Sequence, residues 1–281
     1  MYPLQSMTHA TVYIVISIYV LLYLSLRKNP FFVAGAFVQD FFTKRKFFFH
    51  FAAVMAILFF NKVELWIESK MHYTADFTAK IHGLEGDFVA GFQHLFYNNT
   101  ITMVTSIFYV IVFPCLMIVS ILIYTYQKKY RLFYALCYTV IINYVIAIPF
   151  YLFFPVQEVW AFHPNVKLLI LEVFPKFEAE YRPLSGLDNC FPSLHTSISV
   201  SMALLASRSG NRLWKWFSLL SCVVIIFSIF YLGIHWLIDM CGGVLLGIFA
   251  ARLGLSISEE RPFFSRILLP QRRLQKQEVG E

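Results

Sequence analysis

The chain has 281 residues, 59% of them hydrophobic and 14% charged, with mean hydropathy +0.65 and a formal net charge of +7. A soluble domain of this length carries roughly a quarter charged residues, so the composition excludes one and marks an all-α, polytopic membrane helix bundle. Five scattered cysteines (Cys115, Cys137, Cys190, Cys222 and Cys241) give neither a disulfide framework nor metal-ligand spacing.

Taken in chain order, apolar runs predict seven spans, at 8–26, 47–62, 101–124, 130–154, 192–207, 213–233 and 235–253. The first run has no basic segment in front of it. Arg27 and Lys28 follow it and no small-residue cleavage site does, so it reads as a retained anchor rather than a signal peptide. Residues 30–42 are expected to lie along the inner face. Residues 76–97 place Phe77, Ile81, Leu84, Phe88, Phe92 and Leu95 at intervals of three and four, one helical stripe. That stripe predicts a helix lying in the outer interface or packed flat on the bundle. Gly233 is expected to mark a tight outer turn between the last two spans.

With the N-terminus outside, seventeen lysines and arginines fall on inner segments and six on outer ones, the bias expected of cytoplasmic loops. The positive balance is thus a topological signal and not a nucleic-acid footprint. The terminal RRLQKQEVGE reads as a solvated cytoplasmic end.

Two span edges on the outer side carry ionisable residues. CFPSLHTSIS, residues 190–199, sets Pro192, Ser193 and His195 where a helix begins. A helix starting at Ser193 would offer free N–H groups and partial positive charge to a phosphate, with a hydroxyl donor and an imidazole beside them. YLGIHWLIDMCGG, residues 231–243, puts His235 and Asp239 four apart on one helix face. An aspartate inside a span needs a partner and is a functional suspect. A carboxylate that accepts from one imidazole nitrogen fixes the tautomer and frees the other nitrogen as nucleophile or base. Brought together, these residues point to phosphoryl transfer through a phosphohistidine, with a second imidazole protonating the leaving oxygen.

FPSLHTS and HWLID resemble the second and third signature motifs of the type 2 phosphatidic acid phosphatase superfamily. The second motif commonly reads P-S-G-H; Pro192, Ser193 and His195 match it, with Leu194 at the glycine position. The third reads S-R, five residues, H, three residues, D; Ser228, His235 and Asp239 match it, with Ile229 at the arginine position. The first, K, six residues, R-P, has a near match in Lys176 and Arg182-Pro183, separated by five residues. These departures are similar to those of the inositol phosphorylceramide synthase branch.

The resemblance covers about 130–253. It implies a His235 nucleophile oriented by Asp239, His195 as general acid, and Ser193, Arg182 and Lys176 on the phosphate, with no metal or cofactor. It implies a membrane lipid substrate, a lipid phosphate or phospholipid, whose head group passes to a lipid or polyol acceptor. Simple hydrolysis of phosphatidate or of a polyprenyl phosphate or diphosphate is the alternative. The chain then divides into N-terminal membrane segments (1–100), a catalytic bundle (101–256) and a basic tail (257–281).

A proton-coupled transporter using His195, His235 and Asp239 as a relay is the competing class. It would carry broken helices and repeat symmetry, neither of which the sequence displays. Asp188 and Asn189 read as turn formers, Glu158 has no assigned role, and His72, His82, His94 and His163 show no metal spacing.

Overall fold

The computed structural model describes residues 4–68, 70–71 and 76–259. The terminal basic stretch from residue 260 and His72 lie outside the described residues. The helices are α1 (Met7–Leu26), α2 (Pro30–Thr43), α3 (Arg45–Glu68), α4 (Thr78–Glu85), α5 (Phe88–Phe96), α6 (Asn99–Ile107), α7 (Phe113–Tyr126) and α8 (Tyr130–Phe153). One-turn helices α9 (Val159–Phe162) and α10 (Phe177–Glu180) precede α11 (Leu194–Ser207), α12 (Arg212–Tyr231) and α13 (Leu237–Ser258). The described residues form no β-strand, only an isolated bridge between Val156 and Asn189.

Among the described residues, six rods are long and apolar enough to cross a membrane: α1, α3, α6 with α7, α8, α12 and α13. The protein is a multi-pass membrane protein. The fifth of the seven predicted spans differs. Its helix, α11, has 14 residues, about 21 Å against a hydrocarbon core of about 30 Å. Its face explains the difference, because it packs among α8, α12 and α13 and carries serines that need protein partners. Ser201 Oγ donates to the Gly247 carbonyl (3.0 Å) and accepts from Asn143 Nδ2 (3.3 Å).

The predicted outer stripe forms two helices, broken at Gly86, whose φ of +56° ends α4. The rings of Phe88 and Phe92 pack on Phe230 and Phe227 of α12, at 5.6 and 5.1 Å. Leu84 and Leu95 point away from the bundle. Each half of the stripe thus turns part of itself inward, Ile81 on α4 and Phe92 on α5, and leaves one leucine facing outward.

Both ends of the bundle are tied. At one end Leu4 N donates to Val173 O (3.3 Å), which places the start of the chain beside the 155–192 segment. At the other, Asn211 Nδ2 donates to Ser25 O (2.8 Å), and Asp40 is buried between Lys44 (2.7 Å) and Tyr130 Oη (2.8 Å). Gly233 makes the expected turn with φ +80°, and a Cβ there would sit 2.7 Å from Lys167 O.

Candidate active site

The site forms where α11 and α13 begin, at the end of the bundle that holds the chain start. Residue chemistry sets both helix starts. Ser193 is the N-cap of α11, its Oγ accepting from Thr196 N at 3.3 Å. The helix therefore starts one residue later than the sequence predicts, because Pro192 lies outside it and Ser193 caps rather than enters it. Ser193 N donates to Asp239 O (3.1 Å), which joins the two motifs directly.

At the start of α13 the three leading N–H groups all meet carboxylates. Asp239 Oδ2 accepts from Trp236 N at 2.9 Å. Glu85, from α4, accepts from Leu237 N with Oε2 (2.7 Å) and from Ile238 N with Oε1 (2.6 Å). Orphan donors and dipole charge at a helix start favour anions; here the protein's own carboxylates use them. Burial, together with the charge of Asp239, holds the Glu85 carboxyl above its ordinary value against the pull of its two donors.

Asp239 Oδ2 also lies 3.4 Å from His235 Nδ1. Both residues are buried, and Asp239 Oδ1 has no partner. His195 faces this pair, its ring centroid 6.3 Å from that of His235. Tyr109 stacks on His195 at 4.1 Å and 17°, Phe113 covers it at 4.4 Å, and Tyr181 Oη lies 3.5 Å from its Nε2. Tyr109 owes its place to a π turn, Phe108–Val112, between α6 and α7. Pro114 has no N–H to donate back to that turn, so the ladder changes register there. Both imidazoles line a cavity of about 140 Å³, with Tyr109, Tyr181, Glu158 and Asn189 among its walls.

The residues assigned to the first motif sit differently. Arg182 is gripped by Glu158 through two bonds (2.6 and 2.8 Å) and by Glu178 (2.8 Å), and it donates to Gly186 O (2.9 Å). Burial opposes its charge, but the two carboxylates outweigh burial and hold the guanidinium above its ordinary value. Its charge is therefore matched within the protein, beside the cavity rather than on its wall. Lys176 is exposed and pairs with Glu180 at 3.8 Å, and the structure does not bring it to the cavity. Ile229, at the arginine position of the third motif, is fully buried, and its carbonyl accepts from Ile234 N and His235 N.

The sequence pattern of the PAP2 superfamily matches residues 81–253. This chain belongs to the PAP2 superfamily. The PAP2 match reaches back to α4, well before residue 130, and so takes in Glu85 and the π turn. A second similarity is to YbjG of Escherichia coli (strain K12), provisionally named an undecaprenyl-diphosphatase, at 44% identity over 62 residues. That stretch is 22% of this chain and 31% of the relative, so the chain matches less than a third of the relative's length. No solved structure matches the chain. Within the PAP2 region, sequence reasoning located Ser193, His195, His235 and Asp239. It did not find Glu85, Tyr109 or Tyr181, which reach the site through tertiary packing and carry no local motif.

Proposed function

We propose that this PAP2-superfamily membrane protein is a lipid phosphatase working through a phosphohistidine. His235 is the nucleophile, Asp239 its orienting carboxylate and His195 the general acid. One observation carries the reading: two imidazoles oppose each other across a cavity and one is backed by a buried carboxylate. With phosphorus between the rings, His235 Nε2 attacks and a P–N bond forms. The P–O bond to the leaving group breaks, a lipid alcohol from a monophosphate or the lipid monophosphate from a diphosphate, and His195 delivers a proton to that oxygen. Asp239, on Nδ1–H, favours the imidazolium that develops. His195 then removes a proton from water, which attacks phosphorus and releases phosphate. Ser193 is the candidate hydroxyl donor to the phosphate, although it is fully buried and not itself a cavity wall. The inner-side excess of lysine and arginine supports a site on the extracytoplasmic face and a cytoplasmic C-terminus. The name of the Escherichia coli relative favours a polyprenyl diphosphate as substrate.

A second reading, head-group transfer to a lipid or polyol acceptor, draws on a different observation. Among the described residues, no lysine or arginine lines the cavity, and Arg182 is matched by two carboxylates. A diphosphate brings at least two negative charges to such a site, a phosphodiester head group only one. An alcohol in place of water on the phosphohistidine gives transfer.

The deciding experiment uses purified protein in mixed micelles with lipid labelled in the head-group phosphate, with and without a ceramide or diacylglycerol acceptor. Label released as free phosphate regardless of acceptor supports the phosphatase. Label on the acceptor lipid supports transfer. Full turnover by His235→Ala would remove the mechanism altogether.

A further inference from the structure

The histidine pair shares two residues with a group of potential ligands whose third member, Cys190, phosphoryl transfer does not use. Cys190, His235 and Asp239 each present a ligand atom, and the three atoms lie within 4.8 Å of one another in a buried setting. Cys190 and His235 both line the cavity, so the group is reachable from it. Two details of the geometry point to a cation. Asp239 Oδ1 is buried, on a fully buried residue, with no hydrogen-bond partner, and an unmatched buried carboxylate oxygen is costly. The His235 Nδ1 to Asp239 Oδ2 separation of 3.4 Å is long for a charge-assisted hydrogen bond, typically about 2.7–2.9 Å. A cation held through Oδ1 would give that oxygen its partner and leave Oδ2 to the Trp236 N–H.

We infer that Cys190, His235 and Asp239 form an inhibitory site for a soft divalent cation of the zinc class. Thiolate, imidazole and carboxylate are zinc's own ligand types. One thiolate and one carboxylate cancel the two charges of the ion, so the buried complex is neutral. On uptake the Cys190 thiol releases its proton to solvent. The His235 proton moves from Nδ1 to Nε2, and no electron is transferred. A neutral imidazole bound to metal through Nδ1 carries its one proton on Nε2, so that nitrogen has no lone pair for phosphorus. This blocking effect rests on the proposed role of His235; cation binding itself does not. The cation is thus an off-switch, and a chelator relieves inhibition instead of causing it.

The test combines spectroscopy with turnover on the full-length protein in detergent. Cobalt(II) titration should give the near-ultraviolet thiolate-to-cobalt charge-transfer band. Cys190→Ser and Cys190→Ala should lose it, and Cys241→Ser, which removes the exposed thiol, should keep it. Zinc should lower wild-type turnover and EDTA restore it. Each Cys190 variant, measured against its own metal-free rate, should need at least the roughly tenfold more zinc that loss of even an outer-shell partner costs. A missing band, a band that follows Cys241, or equal zinc sensitivity in both Cys190 variants overturns the inference. The cobalt band requires no turnover, so it decides the site even if every lipid phosphate proves inert.

Discussion

His195 and His235 oppose each other with ring centroids 6.3 Å apart, although 40 residues and the whole of α12 separate them in the chain. Among the described residues, His235 and not His195 has a carboxylate at its imidazole, so the two rings are not equivalent. Replacing Asp239 by Asn keeps the size of the side chain but removes the charge and allows the wrong tautomer. Turnover should fall by roughly 10⁴-fold, as in other carboxylate-oriented histidines. His195→Ala should fall by about 10²–10⁴-fold, the usual weight of a general acid. Rapid-quench trapping of labelled protein separates the two. The His195 variant should still accumulate acid-labile label on a lipid with a good leaving group, and the His235 variant should not. Label in the His235 variant would reverse the assignment.

Arg182 offers a second contrast. It is mostly buried and bound to Glu158 and Glu178, and removing one partner of a buried pair leaves an uncompensated charge. Arg182→Ala should therefore destabilise by about 3–5 kcal/mol, while Arg182→Gln with Glu158→Gln should cost much less. If Arg182 serves mainly as a structural tie, the double variant keeps a KM near wild type. A KM raised equally in the single and double variants would make it a phosphate ligand after all. Thermal melting in detergent and initial rates are sufficient to separate these outcomes.

What was legible in the sequence follows the range of the interactions involved. The spans were legible because lipid demands about 20 apolar residues in a row, and His235 with Asp239 as near neighbours in the chain, although not as one helix face: His235 precedes α13 and only Asp239 lies on it. Ser193 was legible as a residue at a helix edge, but its place as the cap and not the first helical residue was not. That α11 packs inside the bundle was not legible, since its serines find partners on α8 and α13, far along the chain. The pairing of Arg182 with Glu158 was not legible, because Glu158 lies 24 residues away, in a segment with no repeat or motif. Tyr109 depends on a change of helix register that periodicity cannot display, although Pro114 was a visible cause of it.

Glu85 supplies a pH test. Its folded carboxyl binds a proton more tightly than the unfolded chain does, because burial raises it. The associated stabilisation is fully present below the ordinary glutamate value of about 4.3 and is lost as pH rises through the folded value. Wild type should therefore lose melting temperature relative to Glu85→Gln as pH rises from about 4 towards neutrality. A difference that stays constant with pH would show that this carboxyl does not titrate in the window. The same residue anchors the start of α13, so Glu85→Ala should lower kcat by up to roughly 10²-fold, the scale of a 1 Å misplacement, with little change in KM.

Gly247 tests the spacing of α11, which carries His195, and α13, which His235 immediately precedes. A Cβ there would overlap the Ser197 carbonyl of α11, so α13 cannot hold its present distance with any larger residue. Overpacking of this kind costs typically about 1–3 kcal/mol. Gly247→Leu should lower the melting temperature and, by pushing α13 from α11, widen the gap between His195 and His235. Turnover should then fall more than the melting loss explains at a temperature where the variant is still folded. Gly35, whose Cβ would meet nothing within 4 Å, is the matched control, and Gly35→Leu should leave both quantities near wild type. Equal effects at the two glycines would show that helix spacing at the site is not what Gly247 protects.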